Sequence, residues 1–386
     1  MKPPYKGREV VVAGVGITRW GYYPERESYE LAAEAIINAL KDAEMEWQEV
    51  ETAFCGSVYQ GTGSGHQAVR EVGLTGIPVV NVENACSSGS SAFRLAYQAV
   101  ASGLYDVALA VGFEKMPRGP IPSTAFRPLE LKMGFNVQPA NYALETLAYM
   151  EECGATEEDF ALVAVKNRKN GALNPNARFQ EPVTLEEVMN SRMVASPLRL
   201  LHCCPLADGA AGFILCSREK LRSKSRAVTV AASVLTSGVY GEAVYQCGTV
   251  SSVKFPPAEG IIEMSARQAY ECAGCGPEDM DVIQVYDSMA PGELWDIEKL
   301  GFCPKGEAPR LLREGVFDLD GKIPANTDGG LISRGHPLGA TGCGQIYEVV
   351  LQLRGEAGPR QVKGAKAGLC HAMGAGPNSS ITILKK

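Results

Sequence analysis

The chain has 386 residues, 45% of them hydrophobic and 21% charged, with a formal net charge of −7. That length exceeds the size at which a single core stops growing, so two domains or an internally doubled fold is the natural reading. The acidic balance with no Lys/Arg block argues against a nucleic-acid partner, and no run approaches the roughly 20 apolar residues a membrane helix needs.

The opening MKPPYKGREVVVAGVG passes from a polar lead straight into an apolar run, without the h-region of a signal peptide. Twelve cysteines sit mostly inside apolar segments, as with Cys203, Cys204 and Cys216, which favours reduced thiols and a cytoplasmic location. Residues 10–15 read as a strand, 30–43 as an amphipathic helix, 50–58 and 78–82 as strands, 87–101 as a helix and 107–112 as a strand. Strands alternating with helices predict a layered α/β fold.

From Pro117 to about Leu198 the rhythm breaks, and Pro, Asn, Arg, Lys and Glu dominate. This stretch reads as an inserted loop domain lying over the first half, of the kind that often carries substrate contacts. The strand–helix order then resumes: 227–234 strand, 261–273 helix, 282–286 strand, 333–353 largely helix, 365–370 and 380–384 strands. An offset of 230 lays Ala39, Leu40 and Ala43 on Ala269, Tyr270 and Ala273. An offset of 250 lays Gly89, Tyr97 and Val100 on Gly339, Tyr347 and Val350, and Cys86 on His336. Two similar halves, residues 1–222 and 223–386, are the expectation.

Cys272 and Cys275 form a lone CxxC at the end of a helical pattern, with neither a second pair nor histidines at ligand spacing. Packing is the better reading there, and no metal site is expected.

Three motifs carry chemistry. Asn84-Ala85-Cys86-Ser87-Ser88-Gly89 follows a strand and opens a helix, where the helix dipole and free N–H groups favour a thiolate. The small residues after Cys86 permit close backbone approach by a substrate. Gly335-His336-Pro337-Leu338-Gly339 holds one of only four histidines in a turn that also opens a helix. A histidine so placed can take a proton from a thiol or donate to a thioester oxygen. Gly368-Leu369-Cys370-His371-Ala372-Met373-Gly374 ends a strand in a glycine turn, where Cys370 could serve as acid/base and glycine N–H groups could bind an oxyanion.

With NACSSGSSAFRLAYQAV around Cys86, PLRLLHCCPLADGAAGFIL before the second half, GHPLGATG at His336 and the turn after Cys370, the chain resembles a thiolase over nearly its full length. The resemblance implies an α/β fold of doubled, five-layer α-β-α-β-α type with an inserted loop domain, paired as a homodimer. It implies that Cys86 is acylated and that His336 activates it and helps hold the thioester oxygen. The N–H groups of Cys86 and Gly374 would form a second oxyanion hole. Acyl-CoA and CoA are the implied small-molecule partners, with coenzyme A as co-substrate and no covalently bound cofactor.

The sterol-carrier-type, lipid-transfer-like branch is the nearest in pattern, and it carries His-Asp-Cys-Phe where this chain has Tyr286-Asp287-Ser288-Met289. Other thiolases have Asn-Glu-Ala-Phe there and draw their acid/base from the C-terminal cysteine. Serine is too weakly acidic to replace a thiol, so Cys370 is expected as the acid/base, followed by His371 where the sterol-carrier branch has its histidine. Tyr286 then replaces the Asn or His of the first oxyanion hole. Members of this sub-branch often associate with a small zinc-ribbon/OB-fold subunit. The resemblance extends to benzoylsuccinyl-CoA thiolases of anaerobic toluene degradation, with Arg118, Arg127 and Arg334 as candidate receivers of a substrate carboxylate. Alternatives are an acetoacetyl-CoA-type thiolase, a retro-aldolase of steroid side-chain degradation type using tyrosine chemistry, and a non-catalytic acyl-CoA or lipid-binding subunit.

Overall fold

Apolar runs such as VVVAGVGI at Val10–Ile17 and VALAVGFE at Val107–Glu114 are buried along their length, so the strands they form must be covered on both faces. The computed structural model describes residues 7–119, 128–134, 136–238, 259–375 and 377–386. Its first half runs β1 (Val10–Ile17), α1 (Ser28–Ala43), β2 (Thr52–Gly56), α2 (Ser64–Val72), β3 (Val79–Val82), α3 (Ser88–Ala101) and β4 (Val107–Glu114). An insertion follows, with α4 (Pro128–Lys132), α5 (Gln138–Cys153), α6 (Glu157–Ala172), α7 (Leu185–Asn190) and the short pair β5 (Met193–Ala195) and β6 (Leu198–Arg199). The chain then re-enters the sheet as β7 (Gly209–Ser217).

The second half comprises β8 (Val228–Ser237), α8 (Ile261–Ala273), β9 (Val282–Gln284), α9 (Ala290–Lys299), α10 (Ala308–Arg313), α11 (Gly330–Arg334), α12 (Thr341–Arg354), β10 (Ala367–Gly374) and β11 (Asn378–Lys385). The strands are ordered β3-β2-β4-β7-β1-β8-β11-β10-β9, and the halves meet where β1 pairs β8 through Val11–Thr229 and Val12–Val228. Read outward from that seam, β1-β7-β4-β2 matches β8-β11-β10-β9. The parallel bridge of Ile283 with Ala325 sits where β3 lies in the first half. The repeat anticipated from the sequence offsets is therefore a repeat of topology.

One apolar cluster joins Phe93 and Val100 of α3 and Cys343, Ile346 and Val349 of α12 to strand residues of both halves, including Val12, Phe213, Val230 and Cys370. Helices α1 and α2 cover the outer face of the first half, and α8 packs on β8 and β11 of the second. The result is helix, sheet, paired central helices, sheet, helix: the five layers expected of a thiolase. None of the described helices is long and apolar enough to cross a membrane.

The insertion departs from expectation in one respect. Its central helix α6 packs on α9, α10 and α11, so it covers second-half elements and not the first-half core. The reason lies in its sequence. Lys166, Asn167, Asn170 and Asn174 are buried polar side chains, and their hydrogen-bond partners are on second-half loops.

Candidate active site

Two helix starts meet at the centre of the molecule because small residues let them. A Cβ on Gly89 would lie 2.5 Å from the Gly339 carbonyl oxygen, and one on Gly342 would lie 2.7 Å from the Ser90 Cβ. Sequence reasoning reserved the small residues after Cys86 for a substrate; in the structure the partner that approaches Gly89 and Ser90 is the other helix start. The approach brings the turn before α3, with Cys86, beside the turn before α12, with His336. Gly335, at φ 110°, has the positive φ that lets the chain leave α11 and turn into His336.

Cys86 is 9% exposed. Burial pushes its thiol up to about 11; a contact with the Tyr286 hydroxyl opposes this, and the Glu114 carboxylate adds to it. The helix start is thus outweighed by desolvation, and the resting sulfur is a thiol, a correction to the thiolate read from the motif. His336 is pushed down to about 3 by burial and the nearby Arg334, so it rests as neutral imidazole.

The tautomer follows from the network. Thr341 Oγ1 gives its hydrogen to the Pro337 carbonyl at 2.9 Å, so it accepts from His336 Nδ1 at 2.7 Å. Nε2 is left as an acceptor, and the Tyr286 hydroxyl donates to it at 3.2 Å. Tyr286 therefore stands between the two residues the sequence singled out, its one hydrogen given to His336 Nε2 beside the resting thiol and available to the sulfur once the thiol has lost its proton. A hydroxyl so placed can carry a thiol proton to an imidazole nitrogen.

The remaining candidates divide. The Ser288 hydroxyl shares a 2.5 Å hydrogen bond with Tyr142 of α5. Gly374 comes alongside the nucleophile's turn: a Cβ there would lie 2.3 Å from the Asn84 carbonyl, and Ser87 Oγ donates to the Ala372 carbonyl at 3.2 Å. Cys370 packs in the central cluster with Cys343 and Ile346, its charged neighbours being Arg334 and Asp328. Successive strand residues face opposite ways, and His371 lies on the side of Tyr286. Its Nδ1 is 2.8 Å from Asp296 Oδ2, which accepts from the Tyr286 N–H at 3.2 Å, and its Nε2 is 3.2 Å from Ser379 Oγ. Both ring nitrogens are occupied within the protein.

Among the arginines, Arg334 is 1% exposed, paired with Asp328 and stacked over Trp20. Arg118 is exposed and lies 4.0 Å over the Tyr22 ring. Arg127 lies outside the described residues.

Sequence reasoning passed over Glu114, whose signal was a carboxylate closing an otherwise uncharged, fully buried strand. Its oxygens accept from the N–H groups of Val58, Tyr59 and Gly339, each at 2.9 Å, and from the Gln60 side chain. Burial pushes it up to about 7 against these donors. It ties the Val58–Gln60 loop to the His336 turn. Tyr59, raised to about 12 by burial with Cys86 and Glu114 beside it, stands near the nucleophile.

Comparison with known proteins agrees with this architecture. Residues 10–219 match the thiolase N-terminal domain and residues 254–386 the thiolase C-terminal domain-like family. The chain is 39% identical to sterol carrier protein 2 of Bos taurus, covering 99% of this chain and 73% of that protein. It is 37% identical to benzoylsuccinyl-CoA thiolase subunit BbsB of Thauera aromatica, covering 96% and 95% respectively. The solved Ltp2-ChsH2(DUF35) aldolase superposes with a TM-score of 0.86 at 28% identity, covering 99% of both chains. A doubled five-layer sandwich, with a cysteine and a histidine at its paired central helix starts and both family domains in order, makes this chain a member of the thiolase family, an acyl-CoA acyltransferase.

Proposed function

We propose that the chain is the catalytic subunit of a thiolase that cleaves or forms a 3-oxoacyl-CoA through an acyl thioester on Cys86. The observation that carries this is the Tyr286 hydroxyl shared between Cys86 and His336 Nε2. In cleavage, the thiol proton passes through Tyr286 to His336 as sulfur attacks the 3-oxo carbon. The carbon–carbon bond then breaks, its electron pair stays on the α-carbon of the departing CoA thioester, and the stored proton returns there. The thiol of coenzyme A next gives its proton to the same relay and attacks acyl-Cys86. Cys86 leaves as thiolate and takes that proton back. The N–H groups of Cys86 and Gly374 are the donors for the oxygen charge at sulfur. The packing of Cys370 argues against its acting as acid/base, and the relay fills that role.

The substrate reading is 2-benzoylsuccinyl-CoA, cleaved to benzoyl-CoA and succinyl-CoA, and it draws on the Thauera aromatica relative. Acetoacetyl-CoA-type cleavage is the simpler alternative. A small zinc-ribbon/OB-fold partner subunit is supported by the relative's designation as a subunit and by the two-component aldolase. The free edge strand β3, with Val80 42% exposed, supports pairing into a homodimer. A cytoplasmic enzyme is in keeping with the reduced thiols.

One observation favours a second reading. A tyrosine hydroxyl at the reaction centre, in a fold shared with an aldolase, suits retro-aldol cleavage of a 3-hydroxyacyl-CoA without consumption of CoA. Incubation with 3-oxoacyl-CoA and mass spectrometry of the intact chain decides between them. An acyl adduct on Cys86 released by CoA supports the thiolase; turnover of a hydroxyacyl substrate by Cys86→Ser supports the aldolase.

A further inference from the structure

Helix α6 and the turn after it carry buried polar side chains that contact α9 and the loops next to the reacting side chains. Lys166 Nζ donates to the Ala325 carbonyl at 2.8 Å and pairs with Glu293 at 2.9 Å. Asn167 Nδ2 donates to Asp287 Oδ2 at 2.8 Å and to Glu293 Oε2 at 2.7 Å. Asn170 and Asn174 donate to the carbonyls of Asn326 and Asp328 at 3.1 and 2.9 Å. Asp287, directly after Tyr286 and 0% exposed, accepts from the N–H groups of Leu331 and Ile332 at 2.7 and 3.3 Å, at the start of α11. That five-residue helix ends at Arg334, two residues before His336. Helices α6 and α11 also touch backbone to backbone, since a Cβ on Gly329 would lie 2.6 Å from Gly171 Cα.

We propose that α6 is a template that sets the distance between Tyr286 and His336, with Asn167 and Asp287 as positioning residues acting through α11. Asp287 fixes the Tyr286 loop to the start of the helix that delivers His336, and Asn167 fixes the Asp287 carboxylate. In a network this buried an unpaired polar group is costly, so a lost partner is felt as displacement. Misplacement by about 1 Å far from the chemistry can lower a rate by about 100-fold.

The inference rests on the relay described above, and its test separates the two. Asp287→Asn and Asn167→Ser are to be compared with the native full-length chain. Two quantities are read: kcat and KM with a 3-oxoacyl-CoA, and the rate of Cys86 alkylation by iodoacetamide across pH 6–10, with the adduct site identified by mass spectrometry. The expected result is a kcat lower by 10- to 100-fold, KM within threefold, and slower alkylation with an altered pH profile. The double variant should be no slower than the worse single one, because both act on one unit. Should either variant fail to fold, Asn170→Ala, which removes a single hydrogen bond, should show a smaller change in the same direction. Folded variants whose Cys86 alkylates at the native rate and pH overturn the proposal, whatever their turnover. If the native chain forms no acyl adduct, the thiolase reading fails instead, and the alkylation profiles still decide the role of α6.

Discussion

Gly89 and Gly339 stand backbone against backbone, each from a different half of the chain. A Cβ on Gly89 would lie 2.5 Å from the Gly339 carbonyl, and a Cβ on Gly339 would lie 2.5 Å from the Phe113 carbonyl and 2.7 Å from Ser57 Cα. Distances under 3 Å to backbone atoms cannot be relieved by a rotamer change. Gly89→Ala, whose Cβ would meet the Gly339 carbonyl, should therefore separate the helix starts, lowering stability by about 1–3 kcal/mol or more and slowing Cys86 acylation disproportionately. Urea unfolding and single-turnover acylation measure the two effects; native acylation in a destabilised but folded variant would show that the contact does not set the site.

Removal of the Tyr286 hydroxyl breaks the route from sulfur to imidazole while leaving the ring in place. Tyr286→Phe should cost about 100- to 10,000-fold in kcat/KM, the range of general acid–base catalysis. Steady-state kinetics are the check, and a loss under tenfold would mean that Cys86 and His336 exchange the proton directly.

Cys86→Ala should abolish turnover of 3-oxoacyl-CoA and the acyl adduct together, with a loss of at least about 1,000-fold. Retention of C–C cleavage without the sulfur would remove the covalent mechanism.

Cys370 and His371 are adjacent and back to back, so their substitutions should separate. Cys370→Ala removes a sulfur from the central cluster, costing about 1–3 kcal/mol with kcat within threefold. A collapse of kcat in a fully folded Cys370→Ala protein would restore the acid/base role that its position in the motif suggested.

Glu114 makes stability depend on pH in a direction unusual for a carboxylate. Its pKa in the folded chain is raised from 4.5 to about 7, so the folded state holds the proton more tightly than the unfolded one. Its contribution is fully present below about pH 4.5 and is lost as pH rises through about 7. Glu114→Gln should flatten this part of the melting-temperature profile. Below about pH 4.5, where native Glu114 is protonated, it should also lower stability by about 1–3 kcal/mol, because an amide nitrogen faces N–H donors. Parallel native and variant profiles between pH 4.5 and 8 would show that Glu114 does not titrate in that window.

Much of the fold was legible in local pattern. Residues 261–273 were read as a helix and are α8, because a single amphipathic face and a Gly274 stop are local properties. The offset of 230 that aligned the halves also lays β2 on β9. By contrast, α2 and α9 were passed over, and β7 was known only as a motif. The insertion was recognised by its composition but assigned to the wrong half, since a run containing Lys166, Asn167, Asn170 and Asn174 looks like a solvated helix until its partners are known.

At the site, the residue types came from the sequence and their relations did not. The motifs around Cys86, His336 and Gly374 named a thiol, an imidazole and an oxyanion turn, because glycine spacing and helix starts are encoded within a few residues. Whether the thiol rests ionised, which face of β10 Cys370 occupies, and that a tyrosine stands between nucleophile and base were decided only by tertiary structure. Each depends on desolvation or on side chains some 200 residues apart in the chain, as Tyr286 is from Cys86, and burial by distant segments can reverse what a helix start favours locally.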